Sequence, residues 1–382
     1  MKIEDLKTRY NSVFGGEALW VRSPGRINII GEHTDYNGGF VLPAAINKAI
    51  YIGISKREDE EVHLYAEDFK EKHTVALSAL APSEKSWPNY ILGVADQLLK
   101  SGYKIGGFNL YIDGDVPLGA GLSSSAAVEC ATGYALDQLF NLKLTQETIA
   151  LVAQKAEHTF AGVMCGIMDQ FASVFGKQDH VIKLDCRSLD YEYVPLKLDG
   201  YKLVLLNTNV KHALSSSAYN TRRSQCEQGV AWISAHHPEV TSLRDATVAM
   251  LDKYVKEKDE EVYIKCRFVI DEIERLLVAC DHLKKGDLAA LGQKMYETHE
   301  GLSQAYEVSC KELDFLVEEV RNYPQVLGAR MMGGGFGGCT INIVKDEFID
   351  ELIEKISVSY EQECGLALSA YIVETADGTG KI

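Results

Sequence analysis

The order strand, glycine loop, helix in the middle of the chain constrains the fold more than any other feature. Phe108–Ile112 is predicted as a strand, Asp113–Leu122 as a loop containing Gly119 and Gly121, and Ser123–Phe140 as a buried helix. Glycines free backbone N–H groups to face an anion, and a helix N-terminus favours phosphate. This order therefore predicts a phosphate site, with a capped helix and a flexible lead-in as the structural alternative. A Walker A loop is excluded because no Gly-Lys-Ser/Thr ends the loop.

The charge balance limits the ligands that the chain can bind without a local device. Among its 382 residues, 39 are Lys or Arg and 55 are Asp or Glu, which gives a formal net charge of −16. Such a chain repels nucleic acid and anionic lipid, and no basic run counters this. An anionic ligand must therefore be neutralised locally by a cation, a few arginines or aimed backbone N–H groups.

Length and segment composition predict a globular cytosolic protein. The length allows two domains or one large domain. No uncharged stretch reaches the ~18 residues that cross a bilayer, and the charged N-terminus does not resemble a signal peptide. The 9 cysteines form no CxxC pair, so neither a disulfide framework nor a zinc site is indicated.

Hydrophobic periodicity predicts a mixture of helices and strands, with a polar loop at 24–39. Predicted helices cover 2–14, 87–100, 123–140, 145–159, 166–175 and 346–363, with a mostly helical stretch at 215–321. Predicted strands cover 18–22, 49–55, 62–66, 73–77, 108–112, 181–184, 191–194, 203–207, 340–344 and 368–373. A domain boundary is placed near residue 180.

The loop at 24–39 concentrates ionisable side chains among glycines. Arg26, Glu32, His33 and Asp35 are interleaved with three isoleucines, which indicates that the segment is partly buried. Buried charges need partners, and a polyhydroxylated ligand would supply them. The functional interpretation is therefore favoured over that of a solvated surface loop.

Asp169 lies in an almost wholly apolar stretch, downstream of Glu157. An isolated carboxylate there is costly unless it is paired with a cation or hydrogen-bonded. From these residues alone, a functional carboxylate and a buried structural one are equally good interpretations.

A second glycine-rich segment spans 328–340. Gly333, Gly335 and Gly338 fit a GxGxxG pattern, but Thr340–Val344 is predicted as a strand where a dinucleotide-binding fold requires a helix. The Rossmann interpretation is rejected. The loop either closes over phosphates or lets two domains meet.

Taken together, the motifs at 26–39, 117–127 and 328–340 resemble the GHMP family of small-molecule kinases. The first motif, with its Gly-Glu-His-Thr-Asp-Tyr-Asn-Gly-Gly run, is similar to the signature of the galactokinase branch. The resemblance implies an α+β, two-lobed GHMP kinase fold. A mixed-sheet N-terminal domain, 1–180, and an α/β C-terminal domain, 181–382, would enclose the active site in the cleft between them.

The resemblance also implies a reaction, the ATP-dependent phosphorylation of α-D-galactose at its anomeric hydroxyl. This is the first committed step of galactose catabolism in the Leloir pathway. By similarity, Asp169 is the catalytic base, and Arg26 stabilises both Asp169 and the transferred phosphoryl group. The implied ligands are Mg²⁺ at Ser125 and Glu157; the nucleotide phosphates at Gly119, Ala120, Gly121, Leu122, Ser123, Ser124 and Ser125; and the sugar at Glu32, His33, Thr34, Asp35, Gly166 and Tyr219.

Two alternatives remain beside this interpretation. One is a kinase for N-acetylgalactosamine or another sugar. The other is a non-catalytic regulator that senses galactose and ATP, although an intact run Ser123–Ala127, with Asp169 and Glu157, favours the enzyme. The expected partners are galactose and Mg-ATP, without nucleic acid or membrane. Oligomeric state is left open, with a monomer as the default.

Overall fold

A computed structural model describes residues 2–210 and 215–382, and side chains are described for 2–210 and 217–382. The helices are α1 Ile3–Phe14, α2 Ser86–Lys100, α3 Ser124–Phe140, α4 Gln146–Ala156, α5 Met168–Phe175, α6 Ser215–Ser234, α7 Val248–Tyr254, α8 Glu260–Lys285, α9 Leu288–Glu300, α10 Lys311–Arg321 and α11 Ile349–Cys364. The strands are β1 Leu19–Asn28, β2 Phe40–Val41, β3 Pro43–Lys56, β4 Glu61–Ala66, β5 Glu71–Ala76, β6 Phe108–Gly114, β7 His180–Asp185, β8 Tyr191–Pro195, β9 Tyr201–Asn207, β10 Val326–Met331, β11 Cys339–Lys345, β12 Ser369–Val373 and β13 Gly380–Lys381.

The first sheet has six strands in the order β13-β1-β3-β6-β4-β5. It is mixed, because β4 and β6 run parallel while the other pairs are antiparallel. Helix α3 packs against β1 and β3, so the predicted strand, loop and helix are all present. The loop predicted to bind phosphate, residues 113–122, is called the phosphate loop below. It leaves the sheet at the end of β6 and returns over β1.

Strand β1 is longer than predicted, since residues 24–28 were expected in a loop. They pair with β3, and the register shifts between Pro24 and Arg26. A proline and a glycine conceal a strand in the sequence, but a bulge accommodates both of them. Gly25 is required here because a side chain at this position would collide with the carbonyl of Leu122.

The second sheet has four antiparallel strands in the order β10-β11-β9-β12. Strands β11 and β12 flank β9 and are joined by α11, which confirms the predicted β-α-β order at the end of the chain. Strand β10 was not predicted as a separate strand, because Gly328 made it look like part of the glycine-rich loop. In the fold, Gly328 lies directly against Gly292 of α9, a contact that a side chain on either residue would prevent.

The two lobes share one apolar core. Buried side chains of the first sheet, such as Val21 and Ile27, belong to the same cluster as Ile341 and Ile343 of the second sheet. A third sheet has three strands in the order β2-β7-β8. Near the end of the chain, β13 pairs with β1 of the first sheet. The boundary near residue 180 stays a prediction. In the part of the chain that the structure describes, no helix combines the length and apolar character that a membrane crossing needs.

Candidate active site

An ion pair between Asp169 and Arg26 lies at the centre of the cleft. Asp169 is in the first turn of α5, and Arg26 projects from β1. Arg26 Nε donates to Asp169 Oδ1 at 2.7 Å, and Arg26 Nη2 donates to Oδ2 at 2.9 Å. A planar guanidinium fork holds a carboxylate in a fixed orientation. The apolar sequence around Asp169 thus surrounds a paired charge, although its catalytic role stays a prediction.

Glu32 is buried and fully engaged by groups from both lobes. Its Oε1 accepts from Arg330 Nη1 at 2.9 Å and from the Gly333 N–H at 2.8 Å. Its Oε2 accepts from Asn28 Nδ2 at 2.7 Å. Glu32 therefore connects the first motif to β10 and to the glycine-rich loop. The loop thus lies where the two lobes meet, which is one of the two roles predicted for it.

Sequence analysis did not identify Arg330, which is completely buried on β10. Besides Glu32, its guanidinium donates to the backbone carbonyls of Asn28, Ile29 and Met331. The only signal in the sequence is an arginine inside an apolar run. A buried arginine requires a partner, but the sequence does not show that the partner lies almost the whole chain away.

His33 contributes a neutral ring to the cavity wall. Its backbone is left-handed, with φ 63°, and its Nδ1 lies 2.9 Å from the hydroxyl of Tyr36. Burial lowers its pKa to about 4. Its Nε2 is buried without a hydrogen-bond partner among the described residues, so it is available to a ligand. The rings of Tyr219 and Tyr306 lie beside it, with centroid distances of 5.3 Å and 4.9 Å.

Asp35 and Gly166 face each other across the same cavity. The carboxylate of Asp35 occupies the position where a side chain on Gly166 would begin. Burial and the nearby charge of Asp169 raise the pKa of Asp35 to about 7. Thr34, in contrast, uses its hydroxyl to donate to the carbonyls of Gly31 and Phe40. It lies behind the cavity wall, so its predicted contact with substrate stays a prediction.

These groups enclose a cavity of about 170 Å³. Its wall is formed by Arg26, Glu32, His33, Asp35, Glu157, Val163, Cys165, Gly166, Met168, Asp169, Tyr219, Gly333 and Gly334. Polar and charged groups converge here from both lobes, which suits a small ligand with many hydroxyl groups.

The phosphate-loop segment lies next to this cavity. Gly119 and Gly121 both have φ 74°, and α3 begins directly after Ser123 without a side-chain cap. The first N–H groups of α3 therefore remain available for an anion. The backbone N–H of Arg26 donates to Leu122 O at 3.1 Å, and Arg26 Nη1 donates to Gly121 O at 2.6 Å.

A second, largely apolar cavity of about 290 Å³ opens beside this loop. Its wall is formed by Ile50, Ala66, Asp68, Phe69, Ser86, Trp87, Tyr90, Ile112, Asp113, Leu118, Ser124, Ser125 and Val128. Trp87 contributes an aromatic ring to this wall. The cavity suits a flat apolar group attached to the anion that the loop would hold.

Glu157 and Ser125 connect the two cavities. Glu157 begins a π-helical turn, and its carboxylate accepts from Gln170 Nε2 at 2.8 Å and from the Ser125 hydroxyl. Burial and the charge of Asp169 raise the pKa of Glu157 to about 7. Within residues 2–210 and 215–382 there is no cluster of three or more His, Cys, Asp or Glu that could hold a metal. A hydroxyl and one carboxylate still fit Mg²⁺, which commonly completes its shell with water and phosphate oxygens.

Three family models match parts of this chain. Residues 8–56 match the galactokinase galactose-binding signature, residues 89–177 match the GHMP kinases N terminal domain, and residues 277–360 match the GHMP kinases C terminal model. A galactokinase from Thermotoga maritima is 42% identical over 95% of this chain and 99% of its own length. A galactokinase from Fusobacterium nucleatum is 40% identical over 100% of both chains.

The chain belongs to the galactokinase family of GHMP kinases. It is therefore an ATP-dependent sugar kinase. Among solved structures, the Lactococcus lactis galactokinase complexed with galactose superimposes with a TM-score of 0.95, at 36% identity and with 100% of both chains covered. A mevalonate kinase structure, 19% identical with a TM-score of 0.66, shares the fold alone. The predicted α+β, two-lobed GHMP kinase fold is confirmed.

As a galactokinase family member, the chain brings distant predicted residues into one cleft. Glu32, His33, Asp35, Gly166, Tyr219, the Asp169–Arg26 pair and Glu157 line the smaller cavity, and Ser124 and Ser125 line the larger one. The predicted nucleotide residues Gly119, Ala120, Gly121, Leu122 and Ser123 line neither cavity, and Thr34 lies behind the wall. No motif in the sequence pointed to Arg330, to the pair Tyr36 and Tyr306, or to the contact between Ser123 and Asp169. Tyr306 had no local signal, since it lies within the predicted helical stretch 215–321 and meets Tyr36 and His33 only in the folded chain.

Proposed function

We propose that this enzyme transfers the γ-phosphoryl group of Mg-ATP to the anomeric hydroxyl of α-D-galactose, which yields galactose 1-phosphate and ADP. The observation that carries the proposal is the position of Asp169 with Arg26. Both line the smaller cavity, and Arg26 also binds the loop that borders the larger one. In this proposal galactose occupies the smaller cavity, and ATP occupies the loop and the larger cavity.

The residues divide the chemistry between them. Asp169 accepts the hydrogen bond of the anomeric hydroxyl and receives its proton as the anomeric oxygen bonds to the γ-phosphorus. The bond from that phosphorus to the β,γ-bridging oxygen breaks, and ADP leaves with the electron pair. Phosphoryl transfer depends mainly on alignment and on neutralising charge that spreads over the equatorial oxygens. Arg26 and the N-terminus of α3 supply positive potential at this position.

The proposal includes Mg²⁺ held by Ser125 and Glu157. A bound Mg²⁺ would neutralise phosphate charge and orient the phosphates of ATP. Gln170 holds the Glu157 carboxylate through its amide, so this side chain has a defined direction before any metal arrives. Glu157 must be ionised to act as a ligand, and because its pKa is raised to about 7, its ionised fraction increases as the pH rises through neutrality.

Substitution of Asp169 by Asn tests the base directly. Asn keeps the size of the side chain but loses the charge, so we expect kcat to fall by about 10²- to 10⁴-fold. Galactose binding, measured by calorimetry without nucleotide, should remain detectable. Asp190→Asn, at an exposed position after a turn, is the control and should keep wild-type turnover. A wild-type kcat for Asp169→Asn would remove Asp169 from the base role.

Sugar preference separates galactose from the other candidate substrates. Turnover of ATP should be compared with galactose, N-acetylgalactosamine and glucose at matched concentrations. We expect the highest kcat/KM with galactose, since full-length relatives at this identity are galactokinases. Equal kcat/KM with all three would contradict galactose specificity, and binding without turnover would support the regulator. A cytoplasmic location and a monomeric state stay predictions from the sequence.

A further inference from the structure

Ser123 makes a contact that its predicted role does not require. Its hydroxyl Oγ donates to Asp169 Oδ2 at 2.5 Å. The similarity to known kinases placed Ser123 among the nucleotide-binding residues of the loop. In the structure its side chain points to the carboxylate that faces the sugar.

The backbone of Ser123 is strained in a way that serves this contact. Its φ of 56° and ψ of 51° lie in the left-handed region, which carries an energetic penalty for a residue other than glycine. Such strain is retained where surrounding structure enforces it, often at functional sites.

Ser123 also gives up the hydrogen bond that its position normally provides. Serine at an N-cap usually accepts from the backbone N–H two or three residues later, but Ser123 makes no such bond. In the same chain, Thr145, Thr247 and Asp259 occupy N-caps with extended backbone and accept these bonds. At the start of α3, Ser123 therefore has a left-handed backbone, makes no capping bond and donates to Asp169 instead.

The three donors to Asp169 form one connected unit with the loop. Arg26 binds both carboxylate oxygens and the carbonyl of Gly121, while Ser123 closes the unit from the loop's other end. The orientation of the carboxylate is therefore tied to the position of the loop. A residue that acts only on phosphate would not need this link.

We propose that Ser123 is a positioning residue for Asp169, directing the remaining lone pair of its carboxylate toward the sugar hydroxyl. The inference rests on the proposed function, because it assigns Asp169 the role of base. It also explains why the first N–H groups of α3 stay uncapped: Ser123 leaves them to the nucleotide and serves the carboxylate instead.

Ser123→Gly is the test variant, because glycine adopts the left-handed backbone without strain and lacks the hydroxymethyl group that donates to Asp169. A hydrogen bond to a charged group contributes enough that we expect kcat to fall by about 10- to 100-fold, with KM for ATP within about threefold of wild type. The loss should appear in kcat rather than in KM for ATP, because the hydroxyl donates to the Asp169 carboxylate.

Two further variants separate positioning from phosphate binding. Ser123→Asn tolerates the left-handed backbone and retains a donor, so it should recover part of the lost kcat. Ser124→Ala, at the wall of the nucleotide cavity, should raise KM for ATP and lower kcat less than Ser123→Gly does. If Ser123→Gly behaves like Ser124→Ala, with a raised KM for ATP and no greater loss of kcat, Ser123 is a phosphate ligand and the proposal is wrong.

A measurement without turnover keeps this inference separate from the proposed function. Carboxyl-¹³C aspartate labelling, with Asp169 assigned by its loss in Asp169→Asn, gives the chemical shift of the Asp169 carboxyl in the free enzyme at one fixed pH. A changed shift of this signal in Ser123→Gly supports the contact even if galactose proves not to be the substrate. An unchanged shift overturns it even if galactose is phosphorylated.

Discussion

The two sides of the cleft are built from different parts of the chain. The proposed sugar side uses side chains: Glu32, His33 and Arg26 are almost fully buried, and Glu32 is held by residues from both lobes. The nucleotide side uses backbone: Leu118 is 58% exposed, and the space around Gly119 is empty. A neutral sugar is distinguished only by placed donors and acceptors, whereas a triphosphate attracts any cluster of N–H groups and cations. Rigidity is therefore concentrated where selectivity is required.

The sugar side depends on long-range partners. The Gly31 N–H donates to Glu272 on α8 at 3.0 Å, just as Glu32 is held by Arg330 on β10. Buried charges of this kind are stable only as complete sets, because removal of one partner leaves the other desolvated. We therefore expect single substitutions on this side to affect folding and sugar binding more than substitutions in the phosphate loop.

Arg330→Met should give the largest effect. Methionine fills similar volume but leaves Glu32 buried without its cation, so we expect the free energy of unfolding to fall by about 3–5 kcal/mol. Urea unfolding followed by circular dichroism measures this loss. Lys355→Met is the matched control, since Lys355 and Glu351 form an exposed pair with 47% and 56% of their side chains accessible. Its expected change is below ~0.5 kcal/mol. Equal losses of unfolding free energy in the two variants would show that the buried ion pair contributes no more than the exposed one.

Gly166→Ala should give the next largest effect, on galactose affinity. The new methyl group would meet the carboxylate of Asp35, and overpacking of about 1–3 kcal/mol corresponds to a rise in KM for galactose of about 5- to 150-fold.

Gly119→Ala is the counterpart of this change on the nucleotide side. An added methyl group there meets nothing within 4 Å, although the φ of 74° carries a strain of about 1 kcal/mol. KM for galactose should stay at the wild-type value in steady-state assays. A similar rise in both variants would show that the two sides are equally constrained.

The sequence was sufficient to predict the parts of the fold that depend on local chemistry. The strand, loop and helix at 108–140 follow from periodicity and glycine placement, and the helical stretch at 215–321 contains α6 to α10. The predicted site residues came from motifs that are each continuous in the chain. Their convergence in one cleft was an implication of family resemblance, because spacing alone does not show which loops meet.

The parts that sequence analysis missed depend on distant contacts. Residues 24–28 extend β1 only because β3 provides a partner and Leu122 closes over Gly25. Arg330 and Tyr306 acquire their roles from groups hundreds of residues away, such as Glu32 and Tyr36. The bond from Ser123 to Asp169 was hidden for another reason: a serine at a helix start is ordinarily a cap, and its left-handed backbone has no signature in the sequence.

Asp35→Asn should change the stability of the fold by an amount that depends on pH. In the folded protein the pKa of Asp35 is raised to about 7 by burial and by Asp169, above its value of about 4 in an unfolded chain. The folded state therefore binds this proton more tightly, and the stability that protonation contributes is lost as pH rises from about 4 toward 7. The asparagine side chain of the variant does not ionise and avoids that loss.

The measurable quantity is the difference in unfolding free energy between Asp35→Asn and wild type at pH 5 and at pH 8. This difference should shift in favour of the variant by about 2–3 kcal/mol at the higher pH, while galactose affinity falls. Other titrating groups, Glu157 included, are present in both proteins and cancel. Asp190→Asn, whose side chain is exposed, should show the same difference from wild type at both pH values. If the difference for Asp35→Asn is also the same at both pH values, Asp35 is not desolvated, and the sugar side is more open to water than its buried neighbours indicate. If the shift is present, the sugar side holds an ionisable group at a cost to stability, which a site selected for stability alone would not retain.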